Sequence, residues 1–477
     1  MKRKDLQHLK IDSTLFGIQS SSPVTTTIED IVIQQTDRTE DNLALEDFHY
    51  AAGFAPYVRG ISPTLYVQQP WQSNQVPQSS SLEKCNQIYR NQIQQGQTEI
   101  MLISNPSQEQ NAIHSIEEMK VLLNQLPLHE IAVSLYTDES ILPLLACYLA
   151  AAEELGFEGK SLSGHVQYDL LLTVLTSNGL YTLETAHRIV ADLNEYMHQN
   201  HPKFNAISLS NKVFQSLNLT ADQELAYSLA HGIDQIKAIS TPVLSIDYLA
   251  THLSFAWSAD FHHFTTIAKM RAARGIWAKL LKALNVKNEQ ALALSIRTQT
   301  LPIPLDPNEA LEALGPATIE ATAAIFGGTQ ALHLQLPPTP SIGLTAGQMQ
   351  RFLVEELKSC KTVDPWAGSY YVEKLTLDIA NKTWETLQEI ERTGGIQPIL
   401  NQLIQTQIAK QLAEEPKPSP VALAVDPIPS RQTQEVEKAL FKLSKGVQTP
   451  GENVLALAIE AVKARATLRE IHQALLR

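Results

Sequence analysis

Short apolar, β-prone runs alternate with longer helical patterns from residue 96 to about residue 375, and this alternation constrains the fold more than any other feature. It is typical of a parallel sheet whose strands are joined by crossover helices. The runs that predict strands are 99–103, 130–136, 166–172, 206–210, 291–296 and 324–335. The stretches that predict helices include 141–155, 182–197 and 264–284.

Two further strand candidates, at 253–257 and 362–371, would bring the number of strand–helix units to eight. Eight such units form a (β/α)8 barrel, which commonly takes about 250 residues or more. Periodicity alone leaves an open sheet as the alternative. The residues by themselves therefore predict an α/β fold without deciding whether the sheet closes.

Composition divides the chain into four predicted segments. Residues 1–95 are polar, contain Ser/Thr/Gln clusters and predict an extended N-terminal arm, and residues 96–413 form the α/β domain. Residues 414–430 are rich in proline and predict a connector. Residues 431–477 show apolar positions at helical spacing and predict a helical tail.

Charge and cysteine usage exclude several classes of protein. The formal net charge is −13, and no Lys/Arg run extends beyond residues 1–4, which argues against nucleic-acid binding. The three cysteines, Cys85, Cys147 and Cys360, form no Cys-x-x-Cys pair, which fits a reducing compartment. No apolar signal region follows the N-terminus, and the longest apolar stretch, 141–152, is too short to span a membrane. We expect a cytoplasmic protein.

Local motifs indicate no chemistry on their own. The string 326–329, Phe-Gly-Gly-Thr, has two glycines but no lysine and is more typical of a turn than of a phosphate loop. His262 and His263 are adjacent, so in regular structure they point in different directions and predict no two-histidine metal pair.

Longer strings carry a resemblance to a known family. They are RGISPTLY with a following PW (59–71), PKFNAISLS (202–210), ELAYSLA (224–230), LSF-W with AKMRA (253–272), FGGTQALH (326–333) and DPWAGSYY (364–371). In their order and spacing these six strings resemble the methylmalonyl-CoA mutase family. The resemblance implies a (β/α)8 TIM barrel that binds acyl-CoA along its axis. In that family a cobalamin-binding domain covers the barrel, and adenosylcobalamin supplies a radical that rearranges the substrate away from water.

Two residues fall on family positions that contact the substrate. Tyr66 falls on the tyrosine that presses toward the reacting carbons, and Gln167 falls on a substrate-contacting glutamine. A core-facing aromatic with a satisfied hydroxyl group is an equally good interpretation of Tyr66. No other catalytic residue is assigned.

Other family positions are lost. Val213 replaces the histidine that binds the thioester carbonyl, Lys212 replaces its neighbouring tyrosine, and Ser177 replaces the arginine that clamps the substrate carboxylate. Valine neither donates nor accepts a hydrogen bond, and a buried carboxylate without its bidentate partner is strongly penalised. Gln69 and Asn74 stand where the arm of the family usually carries arginine.

The resemblance extends at 459–467 to the helix that precedes the cobalamin domain, and the chain ends at Arg477, where that domain would begin. The string Asp260-Phe261-His262 lacks the glycine of the cobalamin motif Asp-x-His-x-x-Gly. We therefore expect this chain alone to bind no cofactor. It would be the small, non-catalytic subunit of a heterodimer whose homologous large subunit brings adenosylcobalamin.

Three alternatives stay open. The chain could be an active barrel subunit that uses a cobalamin domain on a separate chain, although Val213 and Ser177 argue against this hypothesis. It could be a stand-alone barrel that binds acyl-CoA, but no basic entrance for the CoA phosphates is evident in the sequence. In isolation it could form a homodimer.

Overall fold

A computed structural model describes residues 24–27, 29–34, 51–74, 76–77, 81–104, 113–137, 140–168, 174, 182–215, 217, 219–301, 310–336, 346–402, 405–406, 433–449 and 451–476. Ser177 and the predicted connector at 414–430 lie outside the described residues.

Strands of the described chain form two parallel sheets and one antiparallel pair. The first sheet has the order β3-β11-β10-β9-β8, and the second has the order β4-β5-β6-β7. The antiparallel pair is β1-β2. The bounds are β1 Val24–Thr26, β2 Val32–Gln34, β3 Gln72–Asn74, β4 Glu99–Ile103, β5 Ala132–Tyr136, β6 Ser163–Gln167, β7 Phe204–Asn205, β8 Ile207–Ser210, β9 Leu253–Ala259, β10 Ser295–Thr300 and β11 Ala331–His333.

Helices separate most of these strands, as the alternation predicts, and the α/β class is confirmed. The bounds are α1 Leu82–Gln94, α2 Ile116–Leu123, α3 Ile141–Glu154, α4 Leu183–Asn200, α5 Lys212–Gln215, α6 Ala221–Ile239, α7 Ile246–His252, α8 His263–Ala283, α9 Ala310–Phe326, α10 Ala346–Glu355, α11 Tyr370–Arg392, α12 Thr433–Gln448, α13 Val454–Lys463 and α14 Leu468–Leu475.

The two parallel sheets approach each other at both of their edges. Only Ala206 separates β7 from β8. At the other edge the Gln97 side-chain amide donates to Ser73 O of β3 and to Glu99 O of β4, each at 2.7 Å. One side chain therefore connects the first strand of one sheet with the first strand of the other.

Several predicted boundaries need correction. The first part of the predicted strand 324–335 is the end of α9, and a turn at Gly327 and Gly328 separates it from β11. The predicted strand 291–296 begins in a short 3-10 helix, and the strand itself, β10, starts at Ser295. No strand occupies 362–371, where α11 begins at Tyr370.

The predicted arm, 1–95, contains the first strand–helix unit of the domain. Strand β3 pairs with β11, and α1 begins at the cap Ser81, whose hydroxyl oxygen accepts from the Lys84 N–H group. Trp71 is buried and its indole N–H group donates to Gln350 at 2.8 Å. Strand β3 and helix α1, which lie within 1–95, therefore pack with elements that follow residue 96. The polar composition of this segment concealed its buried residues.

The apolar stretch at 141–152 is a core helix. Every residue from Ile141 to Ala152 in α3 is buried, because the helix packs against the sheet, α2 and the tail helices α13 and α14. A helix covered on all sides needs no polar face. Among the described helices, none has the length and apolar character needed to cross a membrane.

The helical tail packs on the domain. The guanidinium of Arg188, on α4, donates to the carbonyl oxygens of Gly446, Val447 and Thr449 at the end of α12. The last carbonyls of a helix lack partners within the helix, and a cation there is favourable. Thr467 and Glu470 form a capping box that starts α14.

Candidate functional site

A polar cavity lies where strands of the two parallel sheets end. Tyr136, Gln167, Ser210 and His333 are the last residues of β5, β6, β8 and β11. The cavity encloses about 430 Å³, part of which is open to solvent. Its lining residues are Tyr136, Thr137, Gln167, Tyr168, Ser210, Lys212, Ala256, Arg297, Thr298, Gln299, Ala331 and His333. Ligands of parallel α/β proteins bind at the carboxyl ends of the strands, which is where this cavity lies.

Gln167 lies on the cavity wall. Its backbone extends the pairing of β6 with β5, opposite Tyr136, and only 8% of the residue is exposed. Because Gln167 is the last residue of β6, its polar side chain lies next to the space that neighbouring strands share. The structure therefore places this predicted site residue on the wall of the cavity.

Lys212 reaches into the same cavity from the opposite sheet. It is the first residue of α5, directly after β8. Its ammonium group donates to the Tyr136 hydroxyl oxygen and lies 4.7 Å from the centroid of the Tyr136 ring. An ammonium over an aromatic face is attracted by the negative face of the ring. The lysine chain therefore occupies the space between β8 and β5.

Val213 is not among the residues that line the cavity. It is 7% exposed and belongs to the main hydrophobic core. The next residue, Phe214, is fully buried and makes edge contacts with Tyr227 and His231 of α6. The first turn after β8 is thus anchored by apolar packing, and the position expected to bind a carbonyl carries only methyl groups.

Tyr66 lies apart from Gln167 in a separate buried cluster. Its hydroxyl group donates to Thr329 O at 2.6 Å, and its ring meets Trp71 edge-on at a centroid distance of 5.3 Å. Burial raises the pKa of the Tyr66 hydroxyl group far above its ordinary value. Tyr66 and Gln167 thus line different cavities, and Tyr66 has the buried, bonded hydroxyl group that the core-facing interpretation expects.

Arg297, which belongs to a buried ion pair that the sequence analysis missed, lines the cavity. Arg297 on β10 donates to Glu99 and Ser134 on the second sheet, and to the Gln72 side chain at 3.1 Å. Burial, together with the charge of Arg297, lowers the pKa of His165 well below its ordinary value. The sequence offered one signal for this ion pair, because Arg297 is a charged residue inside a strand that is otherwise apolar or weakly polar.

A second group of charges, the arginine–carboxylate cluster, consists of Arg59, Arg271, Asp364 and Glu373. Arg59 lies 3.3 Å from Asp364 and 3.1 Å from Glu373, and Arg271 also bonds both carboxylates. Three of the four residues come from different strings of the family resemblance. The cluster therefore joins the N-terminal segment, α8 and α11 into one unit.

The structure places His262, whose string lacks the glycine of the cobalamin motif, at the N-terminal end of α8. The His262 Nδ1 atom lies 3.5 Å from Asp260 Oδ2, and the Phe261 ring covers the imidazole at a centroid distance of 4.6 Å. Thr265, at the position of the motif glycine, is inside α8. The described part of the chain also contains no group of three or more His, Cys, Asp or Glu residues suited to a metal ion.

Comparison with known proteins identifies the family. The family model described as methylmalonyl-CoA mutase matches residues 26–418. The chain is 32% identical to the methylmalonyl-CoA mutase large subunit of Porphyromonas gingivalis, over 94% of this chain and 71% of that protein. It is 31% identical to the large subunit of Propionibacterium freudenreichii, covering 89% and 67%. It is also 31% identical to methylmalonyl-CoA mutase of Escherichia coli, covering 94% and 71%. The chain belongs to the methylmalonyl-CoA mutase family.

Proposed function

We propose that this chain is a non-catalytic subunit of an adenosylcobalamin-dependent acyl-CoA mutase, and that it stabilises a homologous catalytic subunit. One observation carries the proposal: the turn after β8 places Lys212 in the cavity and Val213 in the core. The partner would hold adenosylcobalamin, which supplies the radical when bound. This chain would contribute a folded barrel surface.

The valine at position 213, where the family has a histidine, has a direct chemical consequence. Catalysis requires groups that hold the reacting atoms in one orientation. It also requires polar interactions that are stronger in the transition state than in the ground state. A valine offers neither a donor nor an acceptor to a thioester carbonyl. Lys212, bonded to Tyr136, further narrows the space for an acyl chain.

We further propose that the two parallel sheets form a single eight-stranded barrel. With β7 and β8 taken as one strand interrupted at Ala206, the strands number eight. The Gln97 amide, shared between Ser73 and Glu99, supports closure at the other seam. A barrel of this kind would offer its outer helices to a partner of the same fold.

Retention of Gln167 on the cavity wall favours one other candidate, an active barrel subunit served by a cobalamin domain on a separate chain. The two functions differ in what the second polypeptide must contain. A non-catalytic subunit needs a complete homologue with its own barrel, whereas an active subunit needs only the cobalamin domain.

Co-expression distinguishes these functions. The full chain, affinity-tagged, is expressed with a homologue from the same organism that carries the Asp-x-His-x-x-Gly motif, and the purified material is analysed by size-exclusion chromatography with light scattering. We expect a complex of one copy of each chain, in which the homologue unfolds at a higher temperature than alone. Separate elution of the two chains, with no change in the unfolding temperature of the homologue, would contradict the proposal.

A further inference from the structure

A second cavity lies at the opposite end of β11 from the cavity beside Lys212. It encloses about 290 Å³, part of which is open to solvent, and Arg274, Gly328 and Asp364 are among its lining residues. Gly328 belongs to the turn that precedes β11, whereas the cavity beside Lys212 is lined by His333 at the end of that strand. The two cavities share none of the described residues, so the second is a separate site.

Arg274 is a buried cation that forms no ion pair with the described residues. It is 1% exposed and donates to the carbonyl oxygens of Tyr57, Val58 and Gly327 at 2.7 to 3.3 Å. Each terminal nitrogen of a guanidinium carries two N–H groups. Nη1 and Nη2 each make one of these bonds, so each keeps one N–H group without an acceptor in the described chain. Burial, and next the charge of Arg271, lowers the pKa of Arg274 to about 10.

Gly328 leaves the two terminal nitrogens open to the cavity. Its φ of +84° lies in the left-handed region that favours glycine. A Cβ atom at this position would lie 3.1 Å from Nη1 and 3.3 Å from Nη2 of Arg274. Because both residues line the cavity, the lack of a Cβ atom leaves space for an acceptor beside the guanidinium.

Asp364 supplies an acceptor to the same cavity. Its side chain is 4% exposed, and its Oδ2 atom accepts from both Arg59 and Arg271. The buried Oδ1 atom has no hydrogen-bond partner in the described chain, which is costly for a buried acceptor. A ligand that suits both sides therefore accepts from Arg274 and donates to Asp364. Water can do both, but it leaves the charge of Arg274 uncompensated, whereas an oxyanion that carries a proton also compensates this charge.

We propose that this second cavity binds a small inorganic oxyanion that carries a proton, such as hydrogenphosphate. Its negative oxygens accept from Nη1 and Nη2 of Arg274, and its hydroxyl group donates to Oδ1 of Asp364. A buried cation is strongly penalised unless it is paired, and the anion supplies the pair. The site goes beyond the proposed function, because neither the mutase reaction nor a partner chain takes part in it.

Calorimetric titration of the full chain with inorganic phosphate tests the site, and sulfate is the control. The two ions have nearly the same size and shape, but near neutral pH phosphate keeps a proton and sulfate has none. We expect saturable binding of phosphate and binding of sulfate that is weaker by about tenfold or more, because a sulfate oxygen would meet Oδ1 of Asp364 without a proton between them. Absence of saturable heat with phosphate would mean that the cavity holds only water, and would overturn the proposal. Equal affinities for the two ions would overturn it as well.

Substitution of Gly328 makes the test specific. Gly328→Ala fills the space beside Arg274, and we expect it to weaken phosphate binding by about tenfold or more. Gly156→Ala is the matched control, because Gly156 also has a positive φ, +89°, but a Cβ atom there meets no atom within 4 Å. Both variants place alanine in left-handed backbone and share that strain, so only the change beside Arg274 distinguishes them.

We expect Gly156→Ala to bind phosphate as the unmodified chain does. Unchanged phosphate affinity in Gly328→Ala would overturn the proposal. The comparison of phosphate with sulfate on the unmodified chain decides the matter if Gly328→Ala does not fold.

Discussion

The arginine–carboxylate cluster and the cavity beside Lys212 illustrate two ways in which a chain treats its family pattern. In the cluster, Arg59, Arg271 and Asp364 stand within strings that resemble the family, and both arginines bond Asp364. In the cavity, the turn after β8 carries Lys212 and Val213 in place of the residues that the resemblance implies. The family pattern is retained in the cluster and altered in the turn after β8.

The difference has a physical cause. A buried arginine, a partly buried arginine and two buried carboxylates stabilise one another only as a complete set, because removal of one member leaves an uncompensated charge. A residue on a cavity wall contacts solvent or ligand on one side, so its replacement costs the fold little. Loss of a catalytic requirement would therefore change the cavity first and leave the cluster in place.

Removal of one charge from the cluster is the strongest test of this comparison. Asp364→Asn removes one of the two carboxylates that bond Arg59 and Arg271, and we expect the free energy of unfolding to fall by about 3 kcal/mol or more in denaturant titration. Asp378→Asn breaks the more exposed pair with Lys374 and should change it by less than about 0.5 kcal/mol. Equal losses of unfolding free energy in the two variants would contradict the distinction between the cluster and a surface ion pair.

Restoration of the family's histidine at position 213, which lies in the core, should destabilise the chain. Val213→His puts an imidazole into the core without a described partner, and we expect the free energy of unfolding to fall by about 2 kcal/mol. Val243→His, on the surface, is the control and should have little effect. A fully stable Val213→His protein would mean that residue 213 faces the cavity after all, and would weaken the account.

The apolar packing beneath Val213 also predicts a pH dependence. Burial, and to a lesser degree the charge of His187, lowers the pKa of His231 to about 3, and the His231 ring packs against Phe214. A histidine whose pKa falls on folding binds fewer protons in the native state. Its contribution to stability is therefore complete above the unfolded pKa, about 6.5, and decreases as the pH falls toward 3.

His231→Gln removes this dependence. Between about pH 7 and pH 5, the loss of unfolding free energy in the variant should be smaller than in the unmodified chain by about 2 kcal/mol. Denaturant titrations at both pH values measure it. Equal losses of unfolding free energy in the variant and the unmodified chain would show that His231 accepts a proton in the folded state.

The smallest expected effect concerns Tyr66. Tyr66→Phe deletes the hydrogen bond to Thr329 O, and we expect the free energy of unfolding to fall by about 1 kcal/mol. Denaturant titration measures the change. An unchanged free energy of unfolding would contradict the core-facing interpretation of Tyr66.

Long apolar patterns predicted their elements well, and local ambiguity caused the errors. The strand at 99–103 and the helix at 141–155 agree with β4 and α3 within one residue. The stretch 324–335 failed because a helix end, a glycine turn and a three-residue strand are all apolar. In the site, Gln167 could be named from the resemblance. The contact of Lys212 with Tyr136 joins residues 76 positions apart, and no local pattern encodes such a contact.

The most direct test of the central claim is a mutase assay of the full chain with adenosylcobalamin and a separately supplied cobalamin-domain protein, in the absence of any second barrel chain. A cavity with Val213 and Lys212 in these positions should form rearranged acyl-CoA no faster than a reaction without this chain. Rearranged product above that background would contradict the account, and would identify the chain as an active subunit.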